Sequence, residues 1–162
     1  MGDMLYEAKF NFDPIFLVPV IMFAATFLVP KAVKKQNENA DVKFMKGFCV
    51  FARIFIAVLV TFAAVMQFNM YKKTVYAYRN GNYSVVEGAV ENFVPMPYSG
   101  HGDESFEING VKFHYSDYSI VQGYNRSRAH GGFIEGNGQR LRIGYVYYNN
   151  VYGNIIVCIE QL

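Results

Sequence analysis

The chain has 162 residues, 52% of them hydrophobic and 17% aromatic, and a formal charge of +2 at pH 7. Residues 1–80 carry ten Lys and Arg against five Asp and Glu, while residues 81–162 carry five against eight. The net-acidic second half excludes non-specific binding of nucleic-acid polymers, which needs many phosphate contacts. The length leaves room for a membrane segment and one small domain of about 80 residues, near the lower end for independent folding.

Residues 1–13 are mixed in character, and Lys9 is their one positive side chain. With no basic leader and a poor cleavage site at Ala24-Ala25-Thr26, a retained anchor is expected rather than a cleaved signal peptide. Asp13-Pro14 reads as a helix start, an N-cap followed by proline at the first helical position. The apolar run that follows, residues 14–30, predicts a first helix of about 25 Å, short but sufficient to cross a bilayer, with a kink at Pro19.

Residues 31–46 hold five lysines, Lys31, Lys34, Lys35, Lys43 and Lys46, against Glu38 and Asp41. A lysine-rich loop between two apolar runs marks the cytoplasmic side. The second run, Gly47 to Phe68, is the most hydrophobic stretch and contains one charge, Arg53. It predicts a membrane-crossing helix over about 47–69, extended past the membrane to about 79. Arg53 is expected to snorkel back toward the lysine loop. Ala57, Thr61 and Ala64 form a small-residue strip for Ala24 and Ala25 of the first helix, or for a second copy. Tyr71, Tyr76 and Tyr78 with Lys72 and Lys73 suit a membrane interface, and Gly81 suits a left-handed C-cap.

Beyond residue 80 the composition changes: 12 of the 14 glycines and nine of the 13 tyrosines lie there. Such segments suggest short strands and tight turns. Expected are a strand over 83–93 with a bulge at Gly88, and a hairpin over 104–115 about the type I′ pair Asn109-Gly110. A long loop over 116–132 follows, then a strand over 139–148 with Leu141, Ile143, Tyr145 and Tyr147 on one face. A last strand over 154–160 closes the sheet. The fold class expected is therefore an α+β membrane protein. Residues 1–80 form a two-helix transmembrane hairpin, and residues 81–162 form a small antiparallel β-barrel of OB- or SH3-like type.

The order Val86-Glu87-Gly88-x-Val90, then Phe106-x-Ile108-Asn109-Gly110-x-x-Phe113-x-Tyr115, then Gly138-x-x-Leu141-x-Ile143-x-Tyr145 resembles bacterial membrane-anchored small β-barrel domains of uncharacterised function. The resemblance covers residues 83–160 and implies helices flanking a small barrel, with no catalytic residues. The layout is also similar to small membrane effectors of bacterial defence systems, which join helices to a ligand-sensing barrel.

Chemistry-bearing clusters are sparse. His101, His114 and His130, with Asp103, Glu104 and Asp117, lack the spacing of a metal site. No nucleophile stands on a sharp turn beside a base, and no phosphate loop is present, so an enzyme is not expected. Cys49 and Cys158 are far apart in kind and place, and no disulfide is expected. The basic residues of the second half do form a pattern. Lys112 and His114 alternate on one strand, Arg140 and Arg142 on another, and Arg126, Arg128 and His130 on the loop. If the two strands are neighbours, this set makes an anion-binding surface, because arginine forks match phosphate and carboxylate.

The function expected is non-enzymatic, without a cofactor. It is a bacterial inner-membrane protein with both termini outside the cytoplasm, whose β domain binds an envelope partner or self-assembles. The alternative is a membrane effector whose cytosolic barrel senses an anionic small molecule such as a nucleotide.

Overall fold

A computed structural model describes residues 2–11, 14–36, 42–97 and 102–162. The N-cap expected at Asp13, the acidic residues Glu38 and Asp41, and His101 lie outside the described residues. The chain divides into two compact units: Met1–Asn11 with Asn69–Leu162, and Phe12–Phe68.

The second of these units is helical. A single 3-10 turn, Pro14–Phe16, leads into α1, Leu17–Gln36, and α2 runs over Val42–Tyr71. Both are long and apolar enough, by length and composition, to cross a membrane. Helix α1 differs from expectation at both prolines. Pro19 falls in its first turn, where a missing N–H costs no helical bond, so the predicted kink has no cause there. Pro30 does not end the helix but lies inside it. The expected strip Ala57, Thr61 and Ala64 is exposed, as are Ala24 and Ala25. Shielded positions of α2 include instead Met45, Cys49, Arg53, Ile56, Val60, Ala63 and Gln67, three or four residues apart, the spacing of one helix face, with Ala52 beside them.

The other unit carries the sheets. Residues Asp3–Glu7 form a strand, β1, although residues 1–13 carry no strand expectation in the sequence reading. The remaining strands are β2 Ser84–Ala89, β3 Glu91–Val94, β4 Glu104–Ile108, β5 Val111–Tyr115, β6 Arg140–Asn149 and β7 Gly153–Gln161. All pairings are antiparallel, in a four-stranded sheet of order β1-β7-β6-β2 and a three-stranded sheet of order β3-β4-β5. The expected OB- or SH3-like barrel is not found. Among the described residues no strand pair joins the two sheets, and β1 stands at the edge of the larger one, beside β7.

The expected bulge at Gly88 is also absent. Gly88 pairs in register with Leu141, and the 83–93 segment breaks at Val90 instead, passing from one sheet to the other. Val90 is buried, and its backbone is held by Gln139 O at 2.8 Å and Gly138 N at 2.9 Å. Gly88 has a different duty: a Cβ there would lie 3.0 Å from Ile108 Cγ2, so glycine lets the β4–β5 hairpin approach. That hairpin matches its sequence. Asn109 and Gly110 take φ of 47° and 78°, as a type I′ turn needs.

Between the sheets lie Phe106, Ile108, Phe113, Ile134, Leu141, Ile143, Ile156 and Ile159, all essentially inaccessible. The register of the β6–β7 pair shifts once in its middle, where Gly144 and Tyr145 face Cys158 and Ile156, so the extra residue is Val157 on β7. On β6 Leu141, Ile143 and Tyr145 share the core face as expected, and of the four residues named for that face only Tyr147 is exposed.

The opposite face of the four-stranded sheet is covered by the end of the second helix. Beyond α2 a π turn, Lys72–Tyr76, and a last helical turn, α3, Ala77–Arg79, carry the chain to Gly81. Val75 packs there against Ala8 and Val157, flanked by Tyr71, Tyr78, Tyr83 and Val146. Gly81, at φ 71°, terminates the helix as its left-handed C-cap.

Candidate functional site

The loop after β5 is long, but it is pinned rather than loose. Asp117 accepts from Ser127 N at 2.7 Å and from Ser127 Oγ at 2.5 Å, and His130 Nδ1 lies 2.6 Å from the same carboxylate. Burial works against the Asp117 carboxylate, yet the bonds from Ser127 and His130 outweigh it and hold its pKa below the ordinary aspartate value. This is not a nucleophile with its base. Ser127 is fully buried and engages Asp117, and both residues meet His130 through Nδ1, leaving Nε2 on the outer side.

A second pin is Glu104, which is buried at 1% exposure. It accepts from Tyr115 Oη at 2.6 Å, from the Arg128 amide at 3.1 Å and from the Met96 amide at 3.4 Å. Burial and this bond push the Tyr115 phenol far above its usual range, so it serves as a fixed donor. Two carboxylates, Glu104 and Asp117, thus organise the loop around Tyr124, whose hydroxyl accepts from Phe133 N at 2.7 Å. Burial raises the Tyr124 pKa to about 12.

Tyr124 separates two clefts. The larger, of about 380 Å³, is lined by Tyr6, Lys9, Phe10, Asn125, Arg126 and Phe133, among others. The smaller, of about 170 Å³, includes His114, Ser119, Val151, Tyr152 and Asn154. The larger joins aromatic walls to two cations, the composition of a site for an anion with an apolar part. Glu7 also lines it, with its carboxylate 3.7 Å from Lys9 Nζ.

The basic residues named from the sequence do not form one surface through neighbouring strands. Lys112 and His114 lie on β5 of the three-stranded sheet, Arg140 and Arg142 on β6 of the four-stranded sheet, and β5 and β6 are not paired. Lys112 pairs with Glu107 at 3.4 Å. His114 Nε2 meets Val151 O at 3.2 Å, and its ring packs where a Cβ on Gly153 would stand. Arg142 is held between Glu87 at 2.9 Å and Glu160 at 3.2 Å, and the Glu160 bond raises its pKa further. Arg140 is exposed at the start of β6, opposite Ala89. Arg128 contributes its amide to Glu104, and His130 its ring to Asp117. Arg126 alone of the seven lines the larger cleft.

Sequence reasoning missed that cleft because five of its twelve lining residues, Tyr6, Glu7, Lys9, Phe10 and Asn11, come from β1 and the segment that follows it. The signal was present: Met4, Tyr6, Ala8 and Phe10 alternate, the period of a strand. Glu104 was legible as acidic but not as buried, since nothing local marks a carboxylate that long-range partners will cover.

In the helical unit, Arg53 does not snorkel toward the lysine loop. Its Nε donates to Thr26 Oγ1 at 2.9 Å, its Nη2 to Thr26 O at 2.9 Å, and its guanidinium lies 3.7 Å from the Phe27 ring centre. Cys49 and Cys158 are free and buried, and burial pushes the Cys158 thiol up.

No family model matches this chain, and neither the curated proteins nor the solved structures yield a match.

Proposed function

We propose that this is a non-enzymatic membrane-anchored binding protein, in which a two-helix hairpin holds a two-sheet β domain at the bilayer surface. One observation carries the reading. Both long helices leave their apolar side chains uncovered, with only 6% and 11% of their most hydrophobic windows buried. A core helix of a water-soluble domain would be mostly buried, whereas lipid is a solvent these side chains suit. The hairpin leaves after β1 and returns before β2, so the β domain and both its chain ends lie on one side. The lysine-rich loop 31–46 supports an orientation with that side outside the cytoplasm, and the inner membrane of a bacterium is the setting this reading takes. There the domain binds an envelope partner or a second copy.

Extraction tests this. Alkaline carbonate should leave the full chain in the membrane pellet, and detergent should release it. Release by carbonate alone would contradict the anchor.

A second reading, sensing of an anionic small molecule, draws on Lys9 and Arg126 in the larger cleft. The detergent-solubilised protein should then bind a nucleotide or sugar phosphate and lose that binding in Arg126→Ala. A wild type that binds none of them would remove this reading.

A further inference from the structure

The two connections to the helices leave the β domain at one end. Lys73 Nζ stands 4.9 Å over the ring of Tyr148, near the β6–β7 turn, whereas Tyr78, one turn and more further on, stacks on Tyr83 beside the middle of β6. The helix therefore reaches the sheet at its turn end. On the other side Ala8 N bonds Val157 O, and the chain continues past β1 to Asn11. Asn11 exchanges two hydrogen bonds with Gln122, at 3.0 and 2.8 Å. Asn11 precedes Pro14 by three residues, at most ~11 Å of extended chain.

At this same end the apolar side chains of the loops point outward. Val151 is 75% exposed, Tyr118 62%, Tyr147 61% and Ile120 47%. Tyr118 and Ile120 sit on the loop 116–122, Val151 on the turn 149–152 and Tyr147 at the end of β6 leading into that turn. The two segments come together, since Ser119, Val121, Val151 and Tyr152 line one cleft. The exposure is not for want of local structure. The Asn149 side chain accepts from the amides of Val151 and Tyr152, both at 2.9 Å, and Tyr147 Oη bonds Asn150, so the turn is held in shape with Val151 at its tip. Phe10, also exposed, and the cations Lys9, Lys72 and Lys73 border the same end.

We propose that these two loops are a lipid-contacting foot of the β domain, with Tyr118, Ile120, Tyr147 and Val151 seated in the headgroup region of the bilayer that holds the hairpin. This rests on the membrane-anchored reading above. Tyrosine at the water–lipid boundary, aliphatic side chains just beyond it, and lysines beside them are the chemistry of an interfacial contact. A protein partner would not require the patch to coincide with the two points where the chain leaves for the helices; a bilayer does. The foot turns a tethered domain into one of fixed orientation, with the larger cleft beside Lys9 and Phe10 held close to the headgroups.

The chain contains no tryptophan, so single substitutions report cleanly. Ile120→Trp and Val151→Trp probe the foot, Val58→Trp probes the middle of α2, and Leu162→Trp probes the far end. Leu162 N bonds Arg140 O, at the opposite end of the ten-residue strand β6, ~30 Å from the turn. All four positions are exposed. The full chain is reconstituted in vesicles of phosphatidylcholine and phosphatidylglycerol carrying a spin-label quencher either near the headgroup or deep in the acyl chains. The expected result is that Ile120→Trp and Val151→Trp lose most of their emission to the shallow quencher. Val58→Trp should lose it to the deep one, and Leu162→Trp to neither. If Val58→Trp is quenched while Ile120→Trp and Val151→Trp behave like Leu162→Trp, the foot is wrong and the anchor stands. If Val58→Trp is unquenched, the anchor itself is wrong. Quenching at all four sites would overturn the foot as a feature of one end.

Discussion

Arg53 occupies the carbonyl that Pro30 leaves empty. In an α-helix the N–H of residue 30 would bond the oxygen of residue 26, but proline has no N–H. The Thr26 oxygen instead accepts from Arg53 Nη2 at 2.9 Å, and Arg53 Nε bonds the Thr26 hydroxyl. A proline inside one apolar helix and an arginine inside the other each carry a polar liability, and each answers the other.

This pairing predicts coupling. Pro30→Ala restores the helical N–H, so Arg53→Ala should weaken the hairpin less in the Pro30→Ala background than in the wild type. Hydrogen bonds between membrane helices contribute about 0.6–1.7 kcal/mol, and a difference of that order is expected. Unfolding of the reconstituted chain, measured as a double-mutant cycle, checks it. Strict additivity would separate the two residues.

Glu104 should matter for the whole loop. Glu104→Ala strands the Tyr115 hydroxyl and the Arg128 and Met96 amides in a buried place. One or two unsatisfied donors cost about 1–3 kcal/mol each. The cost should appear as lost thermal stability and as faster hydrogen exchange at the Arg128 amide. Unchanged exchange there would show that the loop holds without this carboxylate.

Asp117 gives the domain an acid limit. Its folded pKa is depressed, so its stabilising contribution is present above the unfolded value of about 3.9 and is lost as pH falls through the folded value. In Asp117→Asn this dependence disappears. At pH 7 the variant should be less stable by about 1 kcal/mol. The gap should begin to close near the unfolded value of about 3.9, and the two proteins should converge only once the pH is below the depressed folded value. Denaturant melts at both pH values measure this. A gap that stays constant with pH would exclude a linked Asp117.

Arg126 and Arg142 should behave differently on reversal of charge. Arg142→Glu sets a third carboxylate beside Glu87 and Glu160 and loses two ion pairs. It should lower the melting temperature. Among the described residues Arg126 is in no ion pair, so Arg126→Glu should leave stability unchanged while altering the charge of the larger cleft. Equal destabilisation by both would mean that Arg126 has a structural duty.

What the sequence made legible was local. The Asn109-Gly110 hairpin could be read because two residues with positive φ specify it. The continuation of the second helix to Arg79 could be read because Gly81 supplies its cap. What escaped was long-range pairing. β1 is five residues long and separated from β7 by the rest of the chain, and its alternation is too short to outweigh a mixed composition. The barrel expectation rests on the number of antiparallel strands after residue 80, a count that leaves β1 out. The anion surface drawn from Lys112, Arg140 and Arg142 is conditional on the two strands being neighbours, which alternation alone does not decide, and β5 and β6 belong to different sheets. Arg53 was misjudged because the nearest loop was weighed and the carbonyl freed by Pro30 was not.

The central claim is that a membrane hairpin is inserted between two strands of one domain, since β1 pairs with β7 across it. The most direct measurement places paired reporters, one active only in the cytoplasm and one only after export, before Met1 and after Leu162 in separate fusions. The account predicts that both ends report export. Ends on opposite sides of the membrane would contradict it outright, because β1 and β7 could not then share a sheet. Two cytoplasmic ends would keep the inserted hairpin and reverse the orientation read from the lysine loop.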